Sequence, residues 1–487
     1  MTSLRDILYK VRILEVYGST EQEITSVTAD TRKLEKGGLF AAVKGTVSNG
    51  HDFIDKATSL GAIVIVCEDV PENLQPQITY VQVANSAEAL GFIASNFFDN
   101  PSEKLKIIAV TGTNGKTTTS SLLFELFRRL GYSCGLLSTV VNKIDGKEIA
   151  ATHTTPDPVS LNSLLNDMTI HGCEFCFMEA SSHAIHQHRV AGIEFAGAVF
   201  TNISHDHLDY HGDFKSYINA KKALFDNLPK DAFALINRDD SNGDVMVQNT
   251  KAKVRSYALK SMADYKCKVL DNLFSGLQLQ IDGNELFSKL VGRFNAYNLL
   301  AVYAVAREFE FDKLEILTQL SLLESVSGRF QYVQGAGDVT AIVDYAHTPD
   351  ALENVLKTIQ EIRTGAEKVI TVVGCGGDRD RSKRPLMASI AVKFSDQLVL
   401  TSDNPRTEDP NRIIEEMKAG LDPIGIRKSL ALTDRREAIK LACTLAQPGD
   451  IILIAGKGHE TYQEINGERF PFDDLEIVSE TLKPLQK

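Results

Sequence analysis

The segment Thr111-Gly112-Thr113-Asn114-Gly115-Lys116-Thr117-Thr118 brings together the residue types that hold a nucleoside triphosphate. Glycines let successive backbone N–H groups converge on phosphate oxygens, and a helix beginning at the turn aims its positive end at them. Lys116 can bridge the β- and γ-phosphates, and Thr117 offers a hydroxyl to Mg2+. Val110 stands where the strict pattern has its first glycine, so the turn is a shortened variant. An ordinary glycine-rich strand–helix turn is the plainer reading. Gly-Lys-Thr-Thr directly behind an apolar strand favours phosphate.

A second concentration of chemistry lies between residues 173 and 211. Glu179 closes the apolar run 175–178 and can offer the hard oxygen that Mg2+ takes beside phosphates. Six of the eleven histidines (His183, His186, His188, His205, His207 and His211) fall in this stretch. Their spacing is not that of a closed tetrahedral zinc cluster, and no cysteine pair accompanies them at finger spacing. Cys173 and Cys176 form a C-x-x-C inside apolar sequence with no second pair, and read as buried thiols.

The elements that must position these residues follow an α/β pattern. Residues 105–110 read as a buried strand, and 120–130 as an amphipathic helix ending at Gly131. Strand-like and helical segments alternate to about residue 325, the pattern of a mostly parallel sheet covered by helices. Before them, apolar runs at 38–43 and 62–66 belong to a first block that Asp99-Asn100-Pro101-Ser102 punctuates. A third block restarts near 327 with strands at 339–345, 369–373, 397–401 and 451–455, each running into a polar or glycine-rich loop. Ligands in open α/β sheets sit at the carboxyl ends of strands, so these loops are candidate sites.

Composition excludes several classes. The 487 residues are 43% apolar and 24% charged, ordinary for a globular enzyme of two to four domains. Lys plus Arg number 52 against 64 Asp plus Glu, a formal charge of −12. That balance counts against coating nucleic acid or an anionic membrane. No run approaches the ~20 apolar residues of a bilayer span, and the charged N-terminal stretch lacks a signal-peptide core. Seven cysteines spread from Cys67 to Cys443 suggest a reducing cytoplasm.

Gly112–Thr117, Thr154-Thr155-Pro156, Met178–His183, Asn202–Asp209, Asp344–Pro349, Asp403–Arg406 and Gly456–Glu460 together resemble the Mur ligases. These are ATP-dependent enzymes that build the peptidoglycan stem peptide. The blocks follow in the family's order over most of the chain, and the branch most similar adds the third residue of the peptide. The resemblance implies an α/β, three-domain Mur ligase architecture with a central P-loop ATPase sheet and a C-terminal Rossmann-like domain. The expected boundaries are 1–98 for a UDP-binding domain, 99–326 for the ATP-binding domain and 327–487 for the amino-acid-binding domain.

It also implies the site. ATP would meet Gly112, Thr113, Asn114, Gly115, Lys116, Thr117 and Thr118. Asn295 and Asn298 would border adenine, with Arg329 and Asp344 supplied by the C-terminal block. Two Mg2+ would be held by Thr117, Glu179, His207 and Lys221, the last as a carbamate. Adding CO2 turns an ammonium that repels Mg2+ into a carboxylate that attracts it. Lys222 fits the same register one residue on, and the sequence leaves that choice open. Lys116, Glu179, His207 and Lys221 form the implied catalytic set. The UDP-MurNAc-dipeptide would meet Ala29, Thr31, Thr46, Val47, Ser48, His153, Thr154, Thr155, Ser181, Gln187 and Arg189. Arg189 is suited to bidentate contact with a carboxylate or phosphate.

Arg379, Asp403, Asn404, Pro405, Arg406, Gly456 and Glu460 would receive the amino acid. Arg406 supplies the planar fork that a distal carboxylate requires, which favours meso-2,6-diaminopimelate over L-lysine. The expected reaction joins that amino acid to the D-glutamyl γ-carboxylate of UDP-MurNAc-L-Ala-D-Glu through an acyl phosphate, in a cytoplasmic monomer with no nucleic-acid or membrane partner. Rival readings are L-lysine addition, a folylpolyglutamate- or cyanophycin-type ligase, and a P-loop switch or inactive scaffold.

Overall fold

The computed structural model describes residues 2–45, 48–151 and 153–483. Thr46 and Val47, both expected at the nucleotide sugar, lie outside the described residues. The chain divides into two compact units. One comprises Met1–Gly112, Thr119–Asn202 and Lys215–Ser256; the other comprises Thr113–Thr118, Ile203–Phe214 and Tyr257–Lys487.

The first unit contains two main sheets beside a two-stranded pairing of Thr2–Ser3 with Glu23–Ile24. The smaller has strands in the order Ile13–Tyr17, Thr79–Val83, Val64–Cys67, Leu39–Ala41 and Val27–Thr28, with only Ile13–Tyr17 antiparallel. The helix Ser86–Phe97 covers it and is capped by Asn85, whose side chain accepts from the Glu88 N–H. In the larger sheet the parallel strands run Cys134–Leu137, Phe175–Glu179, Lys106–Thr111, Gly197–Phe200 and Phe233–Asn237. Nearly every residue of these strands is buried, as expected of a parallel sheet covered on both faces. The strand Lys106–Thr111 sits in the middle, with Glu179 level with Val110 in the register.

The second unit holds an antiparallel meander, Tyr265–Leu273, Gly276–Ile281 and Asn284–Ser288, packed with the helix Arg293–Glu308. The alternating strand–helix pattern expected to about residue 325 fails here, because no helix separates these strands. Asp282 and Gly283, both at positive φ, make a tight hairpin instead. A six-stranded sheet follows, ordered Gln331–Gln334, Thr340–Asp344, Ile451–Ala455, Val369–Cys375, Gln397–Ser402 and Ser429–Ala431. Its first strand is antiparallel and the rest are parallel. Pro349–Ile362, Lys383–Phe394 and Pro410–Lys418 contribute apolar residues to one core, and Arg435–Leu445 and Asp474–Leu482 to another. Helices on both faces make this a doubly wound sheet.

The four strands expected in this block appear within two residues of their expected ends. All seven cysteines are free, and only Cys443 is other than buried.

Candidate functional site

In the first unit, chemistry gathers where Lys106–Thr111 and Phe175–Glu179 end. Gly112 has φ +151°, and a Cβ there would fall 1.9 Å from Thr201 Oγ1, so only glycine fits. Its carbonyl accepts from Lys221 Nζ at 2.8 Å. Lys221 is 1% exposed, and its ammonium lies 4.6 Å from the Tyr217 ring centroid, one turn earlier on the helix Phe214–Asp226. Lys222 points elsewhere, into an ion pair with Asp226.

Glu179 is fully buried. One of its carboxylate oxygens accepts the Thr139 N–H at 2.7 Å, and the other lies 3.1 Å from Thr139 Oγ1. No cation pairs with it among the described residues. A buried carboxylate held by neutral donors alone is costly, and an added cation relieves that cost. Glu179 therefore has the chemistry of one Mg2+ ligand.

Around Glu179 stand five of the residues expected at the peptide. Thr155 Oγ1 donates to the Glu179 carbonyl at 2.8 Å and accepts the Ser181 N–H at 3.3 Å. Thr154 Oγ1 lies 3.1 Å from Thr139 Oγ1. Arg189 spans the group, donating to the Thr155 carbonyl at 2.9 Å and to Gln187 Oε1 at 2.7 and 3.0 Å. His153 is exposed in the preceding loop.

Ala29 and Thr31 sit after the edge strand Val27–Thr28 of the smaller sheet, with Ala29 exposed and Thr31 buried. Ser48 is exposed, and its carbonyl accepts the Gly45 N–H. Two features of this region were not anticipated. Lys44 pairs with Glu68 and Asp69 at 3.0 and 2.9 Å, and His51 Nε2 accepts the backbone N–H groups of both acids. The adjacent Arg32 holds the Asp30 carboxyl at about 2.

In the second unit, Lys116 Nζ donates to the Thr113 carbonyl at 2.7 Å. Thr113 Oγ1 accepts the Ser204 N–H at 3.0 Å, fastening residues 113–118 to the loop that carries His207. Asn114 and Ser204 both donate to Asp350 Oδ2, at 2.7 and 3.0 Å. Thr117 Oγ1 accepts from Arg329 at 3.1 Å, and the Arg329 guanidinium lies 4.6 Å from the Tyr345 ring. Asp344 accepts the N–H groups of Phe330 and Ala346, while burial pushes its pKa up.

His207 is held at φ +54°, with Nε2 3.4 Å from Asp206 Oδ2. Burial opposes charge on Asp206, yet His207, His347, Lys383 and Lys116 together keep its carboxyl below the usual value. Asp206 and Asp350 carry no role in the sequence reading. Asp206 lies inside the 202–209 block and Asp350 directly after the 344–349 block, which is their only sequence signal. Asn295 and Asn298 are buried at the start of their helix, linked Asn298 Nδ2 to Asn295 Oδ1 at 2.9 Å. Among the described residues, no three His, Cys, Asp or Glu side chains converge as ready metal donors.

The residues expected at the amino acid come together at the ends of three neighbouring strands, Val369–Cys375, Gln397–Ser402 and Ile451–Ala455. Asn404 Nδ2 donates to Glu460 Oε2 at 2.8 Å. Gly456 has φ +118°, and a Cβ would meet Asp403 Oδ2 at 2.6 Å. The Gly377 N–H donates to the Asn404 carbonyl at 2.9 Å, and the Pro405 carbonyl lies where a Gly377 Cβ would stand. Arg406, at φ +52°, donates to the Gly377 carbonyl at 2.8 Å and lies 3.6 Å from Glu464 Oε2. Arg379 is exposed on the following loop. Lys457 and Glu464 complete this cluster, and neither was assigned a role from sequence.

Three family models match the chain: "Mur ligase family, catalytic domain" over residues 23–98, "Mur ligase middle domain" over 110–306, and "Mur ligase, glutamate ligase domain" over 328–458. The UDP-N-acetylmuramoyl-L-alanyl-D-glutamate–2,6-diaminopimelate ligase of Cytophaga hutchinsonii is 56% identical, covering 99% of this chain and 100% of its own. The enzyme of the same name from Geobacillus kaustophilus is 40% identical over 96% of each chain. A solved structure of a ligase of that name aligns with TM-score 0.71 and 36% identity, covering 99% of this chain and 98% of the other. The MurF ligase of Thermotoga maritima, solved with ADP, shares the fold at TM-score 0.63 and 21% identity over 94% and 96%. With its glycine-bounded phosphate turn and a doubly wound sheet that gathers Asp403–Arg406 against Gly456–Glu460, the chain belongs to the Mur ligase family.

Proposed function

We propose that this chain joins meso-2,6-diaminopimelate to the D-glutamyl γ-carboxylate of UDP-MurNAc-L-Ala-D-Glu at the expense of ATP, as an ATP-dependent acid–amino-acid ligase of peptidoglycan precursor synthesis. The observation that supports it most is the Asn404–Glu460–Arg406 cluster, which offers a carboxylate to an ammonium and a guanidinium fork to a carboxylate within one set of loops. The relatives' names, carried over the whole length of the chain, support the same choice.

In the mechanism, an oxygen of the γ-carboxylate attacks the γ-phosphorus of ATP, ADP leaves, and an acyl phosphate forms. The diaminopimelate amine then attacks the acyl carbon, loses a proton, and expels phosphate. Gly112 to Thr118 cradle the phosphates, and Lys116 neutralises charge developing on the transferred group. Asn295 and Asn298 border adenine, and Arg329 and Asp344 orient the nucleotide. Thr117, Glu179, His207 and a carbamylated Lys221 would hold two Mg2+, which supply charge neutralisation between the phosphates when bound. Thr154, Thr155, Ser181, Gln187 and Arg189 orient the peptide, joined by His153. Ala29, Thr31, Thr46, Val47 and Ser48 receive the UDP group. Glu460 takes the ammonium of the amino acid and Arg406 its distal carboxylate, with Arg379, Asp403, Pro405 and Gly456 shaping the loops around them.

We place the domains at 1–98, 99–326 and 327–487, and read the protein as a cytoplasmic monomer. No helix among the described residues is long and apolar enough to cross a membrane.

Phosphate release with ATP, UDP-MurNAc-L-Ala-D-Glu and each amino acid in turn tests the function. Diaminopimelate should support release. No release with any amino acid would defeat the ligase reading, and preference for L-lysine would defeat the role of Arg406. A 13C-bicarbonate label should give a carbamate NMR signal that Lys221→Ala removes and Lys222→Ala keeps.

A further inference from the structure

Lys457 is fully buried, an unusual place for an ammonium, which must be paired or hydrogen-bonded to stay charged there. Its Nζ donates to Asn404 Oδ1 at 3.0 Å and to Glu460 Oε2 at 2.9 Å, and lies 5.5 Å from the Tyr462 ring. Asn404 Nδ2 donates to the same Glu460 oxygen, and Asn404 Oδ1 also accepts the Glu464 N–H at 2.9 Å. The three side chains thus close a triangle. Its sense is fixed by chemistry, because the amide oxygen faces two donors and the amide nitrogen faces the carboxylate. Glu460 Oε2 is occupied by two donors, whereas Oε1 carries no hydrogen bond among the described residues.

We propose that Lys457 is a positioning residue for amino-acid selection. It locks Glu460 so that one oxygen, Oε1, is presented to the incoming ammonium. The inference rests on the reading of Glu460 as an amino-acid contact. Lys457 touches neither ATP nor the nucleotide sugar in this scheme, so its influence should pass through Glu460 alone. Without it, Glu460 keeps only the neutral Asn404 donor and is free to rotate. The ammonium of the substrate then meets a carboxylate with no fixed direction.

The test compares Lys457→Met, Glu460→Gln and the double variant in steady-state phosphate release, varying each of the three substrates. Lys457→Met should raise the KM for diaminopimelate about tenfold, while the KM values for ATP and UDP-MurNAc-L-Ala-D-Glu stay within about twofold of wild type. The double variant should be no worse than Glu460→Gln alone, because both changes remove one device. If Lys457→Met does not fold, as judged by its thermal transition, Lys457→Gln replaces it and should show the same selectivity of effect. An unchanged diaminopimelate KM, a parallel rise in all three KM values, or penalties that multiply in the double variant would each overturn the proposal. A wild-type protein that releases phosphate with no amino acid would instead defeat the ligase reading, and the role of Lys457 with it.

Discussion

Arg406→Ala is the change that most directly probes substrate choice. In the structure one guanidinium nitrogen is committed to the Gly377 carbonyl at 2.8 Å, and Nε faces Glu464 at 3.6 Å. The side chain is 21% exposed, so a carboxylate meeting the remaining edge of the fork is partly desolvated. A hydrogen bond to a charged group contributes roughly 1.5–3 kcal/mol. At about 1.36 kcal/mol per decade this gives a loss of roughly 10- to 150-fold in kcat/KM for diaminopimelate. Partial exposure and the nearby Glu464 carboxylate both weaken the field, which places the expected loss in the lower half of that range, about 10- to 40-fold. The assay is phosphate release against diaminopimelate concentration at saturating ATP and UDP-MurNAc-L-Ala-D-Glu, repeated with ATP as the varied substrate. L-Lysine, which lacks the distal carboxylate, should lose little. Arg406→Lys should fall between, since a point charge keeps the attraction and loses the fork. A loss below threefold, an equal rise in the ATP KM, or an equal loss with L-lysine would refute the reasoning.

Other outcomes follow from the same packing. Asp474→Ala strands Arg435 in a fully buried pair and should lower stability by about 3–5 kcal/mol. Removing the exposed Lys440–Glu437 pair should cost less than about 0.5 kcal/mol, with urea midpoints separating the two. Gly328→Ala should lower the melting temperature, because φ is +66° and the new Cβ would lie 2.1 Å from the His459 backbone nitrogen. Burial holds His347 at about 4 and His459 at about 3, and lowers His51 as well. The unfolded chain takes up protons near pH 6.5 that the folded chain refuses, so unfolding free energy should fall as pH drops from about 6.5 to 5. Glu367 and Glu408, held at about 2, add their losses as pH falls from the usual value of 4.5 toward 2. A urea midpoint unchanged between pH 7 and 5 would contradict this, and His347→Gln should flatten the slope.

The strands of both parallel sheets were legible because burial on two faces leaves continuous apolar runs in the sequence. The phosphate turn was legible because a tight glycine-bounded loop leaves local spacing behind. The meander Tyr265–Ser288 was not read as such, since its half-exposed strands break the apolar runs. Asp282-Gly283 was its one clear signal. Lys457, Asp206 and Asp350 escaped for different reasons. Asp350 meets Asn114 and Lys457 meets Asn404, both far along the chain where no local spacing records the pairing, while Asp206 lies beside His207 with nothing in the spacing to set it apart. Lys221 and Lys222 differ in helical phase. One residue's difference turns the first toward the Gly112 carbonyl and the second toward Asp226.

The buried Arg435–Asp474 pair has a practical reach. Arg435 also donates to the Ala455 carbonyl, one residue before Gly456, and Asp474 opens the helix Asp474–Leu482. That helix lies past residue 458, where the family match ends. A truncation trimmed to residue 458 would remove Glu460 itself, and one ending just past Glu460 would still strip the brace behind the loop that carries Gly456 to Glu460. Shortened versions made for crystallisation or screening should therefore keep residues to at least 482, or they will behave as active-site mutants.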